Sequence, residues 1–381
     1  MKVAIIASNY LSLKKTTKKG TEIIVHTFIN SLVKQKSLQI TTFASGDSDL
    51  PTKIESIDYY PSTANEHIIK AGKHIIFELA LLSKAFSQQD KFDLYHINIG
   101  DGDIALPFAP FVKKPILITL YHPTDIQYAK KYFSLFEENK NVYFVSPTNI
   151  QRKRLPYLPY IATIYHGIDA YHSFIFNPQG GTNMMWAGRA IPQKGMDIVI
   201  EIARLTKQNL KLFGITKSEH KLWFNDILQK IDQVNLSTSI SIALNKNRHE
   251  LIKHFQTSKL FLFPVQWEEP FGLVMTESMA CGTPVIAYGR GSIPEIIKDG
   301  ETGFIVNPSD DDIRGNWIIK KTGINGLREA VNRIYAMPKN EYLQMRRLCR
   351  KHVEENFTVE KMVDEYKKVY KEILKESLMA S

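Results

Sequence analysis

Two glutamates eight residues apart, Glu269 and Glu277, stand in the segment EEPFGLVMTESMACGTPVIA of a chain whose net charge is +10. A carboxylate accepts hydrogen bonds from neighbouring hydroxyls, so two of them spread along one ligand suit a molecule with sugar hydroxyls at both ends. Phosphates lying between those ends would be repelled unless cations stood nearby. The stretch WAGRAIPQKG supplies Arg189 and Lys194, with Gly188, Pro192 and Gly195 favouring a tight bend that aims both at one ligand. A nucleotide sugar has this distribution of hydroxyls and phosphates.

The local grammar places the acids. Pro270 disfavours helical geometry at Glu269 and suits the first helical position, so Glu269 is expected in a loop just before a helix. Gly282 and Pro284 then end that helix. Glu277 is expected about two turns inside, roughly 10 Å from the helix start at 1.5 Å per residue. The helix N-terminus offers free N–H groups and a favourable dipole for a phosphate, and Gly272 lets the backbone approach it.

These residues must be positioned by a scaffold, and its pattern is plain. Short apolar, β-branched runs recur as KVAIIAS, LQITTFAS, FDLYHINI, PILITLY, VYFVSP and IATIYHG. Amphipathic helical stretches alternate with several of them, as over 21–35. After residue 167, the Asn-Pro and Gly-Gly signals of YHSFIFNPQGGTN break both periodicities. A second series follows: NMMWAGR, LKLFGI, ISIAL, KLFLFPV, PVIAY and GFIV. The expected fold is α/β, with two tandem Rossmann-like, doubly wound domains and a cleft between them. The expected boundaries are 1–170 for the first domain, 171–182 for a linker and 183–357 for the second. A C-terminal helix over 358–381 is expected to pack across both.

Composition bounds the alternatives. With 381 residues, 44% hydrophobic and 23% charged, the chain is long enough for two cores and reads as an ordinary globular protein. No apolar run reaches bilayer length, and the N-terminus reads as a buried strand with no signal-peptide pattern. Two distant cysteines, Cys281 and Cys349, give neither a disulfide framework nor metal spacing, which suits a cytoplasmic protein. The histidines form no HxxxH or HExxH pair, so no metal is expected. The positive charge calls for anionic partners. No nucleic-acid reader motif is present, so nucleic acid is not among them.

The combination of Arg189, Lys194, Glu269 and Glu277, with GSIPEIIKDGETGFIV following, resembles the retaining glycosyltransferases of family 4, the group 1 glycosyltransferases of GT-B fold. The resemblance implies a metal-independent hexosyltransferase needing no cofactor beyond its nucleotide-diphosphate sugar donor. UDP-sugars are favoured, with GDP-mannose as the other candidate, and a sugar, lipid-linked glycan or small molecule is the hydroxyl acceptor. It implies that Arg189 and Lys194 bind the diphosphate and that Glu277 holds the ribose hydroxyls. Glu269, with the amides of Phe271, Gly272 and Leu273, handles the transferred sugar. His122, in ITLYHPTD, matches a histidine that the family places near that sugar, and Gly20 matches a glycine loop that approaches the diphosphate, although Thr21 stands where a second glycine is frequent. Leu244 and the following NKNRHE are expected near the base. A GT-B epimerase and a non-catalytic nucleotide-sugar-binding protein are the alternatives.

Three further features invite competing readings. Asp47-Ser48-Asp49 and Asp101-Gly102-Asp103 match a metal-holding D-x-D pattern, but Asp is common in such turns for its own backbone bonding. Asp101 and Asp103 are instead expected at the acceptor. Lys14, Lys15, Lys18 and Lys19 form a basic loop, read either as solvated or as an electrostatic contact with a phosphorylated acceptor or, peripherally, with the inner face of an anionic membrane.

Overall fold

A computed structural model describes residues 1–100, 102–121, 127–216, 218–232 and 239–380. The chain divides into two compact units, Met1–Gly167 together with the segment from Val359 onward, and Ile168–Thr358.

The first unit is built on seven strands: β1 (Lys2–Ile6), β2 (Gln39–Phe43), β3 (Lys53–Glu55), β4 (Leu94–Ile97), β5 (Ile116–Thr119), β6 (Val142–Ser146) and β7 (Tyr160–Thr163). Their order is β3-β2-β1-β4-β5-β6-β7, and every pairing is parallel. The second has six: β8 (Asn183–Arg189), β9 (Leu210–Ile215), β10 (Ile240–Leu244), β11 (Ser258–Phe263), β12 (Val285–Tyr288) and β13 (Gly303–Val306). Their order is β10-β9-β8-β11-β12-β13, also all parallel. Parallel strands joined by helices are covered on both faces, which is why these runs are continuously apolar instead of alternating. β1, β4, β5, β12 and β13 are buried along nearly their whole length.

Each sheet reverses its winding once, between β1 and β4 in the first unit and between β8 and β11 in the second. In open α/β sheets ligands bind beyond the carboxyl ends of the strands at such a point.

The last helix, Val359–Ala380, belongs to the first unit and packs on the helix Gly20–Leu32. Tyr366 and Tyr370 are buried there. His96 on β4 meets the Tyr370 hydroxyl at 2.6 Å through Nδ1 and Thr119 Oγ1 at 2.8 Å through Nε2, and Thr119 in turn meets the Tyr366 hydroxyl at 2.8 Å. Burial holds the His96 imidazole neutral, lowering its pKa to about 3.

The stretch between β7 and β8 is tied down by arginines of the helix Lys339–Asn356. Arg346, fully buried, donates to the carbonyls of Asn177, Gln256, Ser258 and Cys281. Arg350 reaches the carbonyls of Ala170, Phe174 and Ala280. Residues 168–181 lack a strand or helix to satisfy their own backbone, and these guanidinium donors serve instead.

One local expectation is corrected. The helix after β11 spans Leu273–Ala280, so Pro270 is not its first residue. Gly272, at φ +81°, is the residue that turns the chain into it; a Cβ there would lie 2.6 Å from Met275 Cε and 3.3 Å from Glu269 Cγ. Glu277 is consequently about one turn inside the helix, on the order of 6 Å from its start.

Candidate functional site

Arg189 is the last residue of β8, and Lys194 closes the short 3-10 helix Pro192–Lys194 that follows. Gly195, at φ +68°, then starts the next helix, and a Cβ there would meet the Pro264 carbonyl oxygen at 2.2 Å, so the bend depends on glycine. Glu269 stands in the loop that leaves β11. The two loops therefore emerge on either side of the winding reversal of the second sheet.

Lys194 Nζ and Glu269 Oε2 form an ion pair at 2.6 Å, with side chains only 11% and 10% exposed. The indole Nε1 of Trp267 donates to the same Glu269 oxygen at 2.7 Å. The Trp267 ring lies under both cations, 4.7 Å from Lys194 Nζ and 5.1 Å from the Arg189 guanidinium carbon. Burial pushes the Lys194 pKa down, and the Glu269 carboxylate opposes that shift. Preformed contacts on Oε2 fix the carboxylate, the ammonium and the indole as one unit before any ligand arrives. Arg189, Lys194 and Glu269 are thus brought together.

Glu277 is engaged elsewhere. Its Oε1 is held by Arg248, through Nε at 2.6 Å and Nη2 at 2.6 Å. Arg248 begins the helix Arg248–Gln256, whose start is fixed by a capping box of Asn247 and Glu250, and its guanidinium lies 4.9 Å from the Phe174 ring centroid. The cation that balances Glu277 is therefore Arg248 and not Arg189 or Lys194. Leu244 ends β10 and is 41% exposed. Phe271 is buried, and its carbonyl accepts from Ser292 Oγ at 2.8 Å. Leu273 opens the Leu273–Ala280 helix, so its amide has no acceptor within that helix.

Sequence reasoning missed Trp267 and Glu268. Glu268 Oε2 accepts the Gly291 amide at 2.7 Å, while its Oε1 lies 2.8 Å from Arg314 Nη1. Trp267 carried a usable signal, an aromatic residue two positions ahead of the acid. Arg248 lay within the NKNRHE stretch, but pairing across 29 residues is invisible to local pattern.

In the first unit, Gly20 begins the helix Gly20–Leu32, with open space where a Cβ would stand. Asp103 lies in the 3-10 helix Gly102–Phe111 and its carbonyl accepts from the Tyr132 hydroxyl at 3.3 Å. His122 and Asp101 lie outside the described residues. Asp47 accepts from Ser12 Oγ at 2.8 Å and pairs with Lys14 at 2.7 Å, while Lys19 pairs with Glu22 at 3.0 Å. Two of the four lysines of the basic loop are therefore balanced by acids of this unit. Among the described residues no helix is long and apolar enough to cross a membrane.

Comparison with known proteins bears on this arrangement. Residues 171–321, which contain Arg189, Lys194, Arg248, Glu269 and Glu277, match the family model of glycosyl transferases group 1. An uncharacterized 41.2 kDa protein in the cps region of Klebsiella pneumoniae is 29% identical over 50% of this chain and 46% of its own length. A D-inositol 3-phosphate glycosyltransferase of Mycobacterium sp. (strain KMS) is 28% identical over 36% of this chain and 30% of its own. These matches span less than half the length of either relative. Among solved structures, sucrose-phosphate synthase from Thermosynechococcus elongatus superposes with a TM-score of 0.75, at 16% identity and 100% coverage of both chains. HepE of Anabaena, crystallised in complex with UDP and glucose, gives 0.74 at 14% identity, covering 98% of this chain and 100% of that one. Residues 171–321 thus match the group 1 glycosyl transferases over about two fifths of the chain, and the two α/β units have the GT-B fold of these solved structures.

Proposed function

We propose that this protein is a retaining hexosyltransferase that moves a sugar from a nucleotide-diphosphate donor, a UDP-sugar in the favoured case, to a hydroxyl acceptor without a metal. The carrying observation is the Lys194–Glu269–Trp267 cluster with Arg189 beside it at the winding reversal of the second sheet. An ammonium and a guanidinium at that position suit a diphosphate, and a carboxylate anchored on one oxygen suits a sugar hydroxyl. The match of residues 171–321 to the family supports the same reading, as does the fold shared with a protein solved with UDP and glucose.

In the proposed reaction the bond between the anomeric carbon and the diphosphate oxygen breaks, and a bond to the acceptor oxygen forms on the same face. The acceptor proton passes to a departing diphosphate oxygen. Arg189, Lys194 and the first amides of the Leu273–Ala280 helix stabilise the charge that gathers on the leaving group. They are fixed beforehand, so little reorganisation opposes the step. Glu277, oriented by Arg248, takes the ribose hydroxyls. Retention of configuration and independence of metal rest on the resemblance to family 4.

The test is a thermal-shift screen with UDP-glucose, UDP-GlcNAc, UDP-galactose and GDP-mannose, followed by transfer assays with the donor that stabilises most. Lys194→Ala and Glu277→Ala should each lower transfer by about two powers of ten. Near-normal transfer in either variant would refute the site.

A further inference from the structure

The carboxyl edge of the second sheet holds a closed ring of four charges that the proposed reaction leaves unused. Glu268 precedes Glu269 in the loop leaving β11, Arg290 stands in the loop leaving β12, and Asp312 and Arg314 belong to the segment 307–322 that leaves β13. Glu268 Oε1 lies 2.8 Å from Arg314 Nη1 and 3.6 Å from Arg290 Nη1. Arg290 Nη2 lies 2.8 Å from Asp312 Oδ2, and Arg314 closes the ring on the same aspartate. The signs alternate, so each charge has two neighbours of the opposite sign. The four side chains are between 17% and 32% exposed. Single exposed pairs contribute little, but two guanidinium forks set between two carboxylates fix geometry as well as charge.

The segment 307–322 contains no helix, and side chains fold it into a braced turn. Asn307 Oδ1 accepts from the amides of Arg314 and Gly315 at 2.7 and 3.2 Å, and Asp299 accepts from the Ile318 amide at 2.6 Å. Trp317 lies against Gly289, where a Cβ would stand 3.3 Å from the indole nitrogen. Arg314 is thereby presented to Glu268. On its other oxygen Glu268 takes the Gly291 amide at 2.7 Å. Gly291, at φ +58°, has no room for a side chain, because a Cβ would run into the backbone of Glu268 and Glu269. Ser292 completes the seam, its amide donating to the Glu269 carbonyl at 2.8 Å and its hydroxyl to the Phe271 carbonyl at 2.8 Å. The backbone on both sides of Glu269 is therefore held, and its side chain is the one that meets Lys194 and Trp267.

We propose that the ring of Glu268, Arg290, Asp312 and Arg314 is the positioning device of the candidate site. It fixes the loop 267–272 so that the Glu269 carboxylate and the amides of Phe271 to Leu273 stand where the transferred sugar is handled. Only a carboxylate serves at position 268, because one oxygen accepts from Gly291 while the other faces a guanidinium; an amide would turn its own NH2 towards one of these donors. The four residues act through the loop, and a displacement of about 1 Å there is enough to cost on the order of a hundredfold in rate. The effect on sugar placement rests on the proposed function; the control of the Glu269 carboxylate by the ring does not.

The test uses the full chain labelled with 15N-tryptophan, as wild type, Glu268→Gln and Arg314→Met. The Trp267 indole donates to Glu269 and so reports the position of that carboxylate; its NMR signal is identified with Trp267→Phe. Both ring variants should move or broaden this signal. Both should lower kcat by about tenfold or more while the donor KM stays within about threefold, because Arg189 and Glu277 are carried by β8 and by the helix Leu273–Ala280. Melting temperatures should fall by no more than about 3 °C, the scale of a partly exposed charge pair. An unmoved Trp267 signal, an unchanged kcat, a raised KM alone, or activity lost together with a fall in Tm above about 6 °C would each overturn the proposal. A wild type that binds no nucleotide sugar and transfers nothing would remove the proposed function, and the indole signal alone would then decide whether the ring governs Glu269.

Discussion

The Lys194–Glu269 pair permits a quantitative test of preorganisation. Both side chains are about nine-tenths buried and meet at 2.6 Å, so removing one leaves the other as a buried charge. Such removals typically cost about 3–5 kcal/mol. Lys194→Met keeps the aliphatic stem over Trp267 but strands Glu269, whose remaining partner is the indole N–H. That surviving bond places the expected loss at the low end, about 3 kcal/mol. For a unit of this size the loss corresponds to a fall in Tm of about 6–12 °C. Glu269→Gln removes the acid and leaves an acceptor for Trp267, stranding Lys194 instead. The double variant Lys194→Met/Glu269→Gln removes both charges and should recover about 2 kcal/mol relative to the sum of the singles. The assay is urea unfolding at neutral pH on all four proteins, followed by tryptophan fluorescence. Additivity within about 0.5 kcal/mol would show that the two groups do not act as a pair and would refute the argument.

Other consequences are checked more simply. If the proposed function holds, Arg248→Gln should weaken nucleotide-sugar binding about tenfold by releasing Glu277 from its fixed orientation, measured by calorimetry; unchanged affinity would remove Arg248 from the site. His96 is neutral in the fold, with its pKa lowered to about 3 by burial, against about 6.5 unfolded. The unfolded chain therefore takes up the proton first: stability from this group is full above pH 6.5 and falls by about 1.4 kcal/mol per unit from there towards pH 3. A stability-versus-pH curve of His96→Gln that is as steep as the wild type over that window would count against this. Arg346→Met removes the guanidinium from the carbonyls of Asn177, Gln256, Ser258 and Cys281, of which the last three keep another donor, and should cost about 1–3 kcal/mol by chemical denaturation, an unchanged stability contradicting the bracing role. Gly272→Ala forces a side chain into φ +81° and against Met275, so it should lose about 1–2 kcal/mol and reduce transfer, both absent if the loop can re-form around it.

Much of the scaffold was legible because buried parallel strands leave unmistakable runs. All six runs of each series became strands, from KVAIIAS as β1 to GFIV as β13. The strand that escaped, β3, is three residues long at a sheet edge, and KIE carries too little apolar signal to be read. At the candidate site, Glu269 was correctly placed in the loop after β11, because proline and glycine punctuation is local. The helix start was misjudged by three residues because a left-handed Gly272 overrode the preference of Pro270 for the first helical position. Partners were the least legible part. Arg248 with Glu277, Trp267 with Lys194 and Arg346 with Asn177 are long-range contacts fixed by sheet winding, and no spacing rule reaches them.

The dependence of the first sheet on Tyr366 and Tyr370 sets an order on biosynthesis. Every strand of that sheet has left the ribosome before residue 168, yet the hydroxyls that meet His96 and Thr119 arrive only after the whole second unit has been made. A nascent chain thus waits with the His96–Thr119 pair on its central strands uncovered while its later half folds. Premature stops near the end would cripple the early half of the protein and spare the later one.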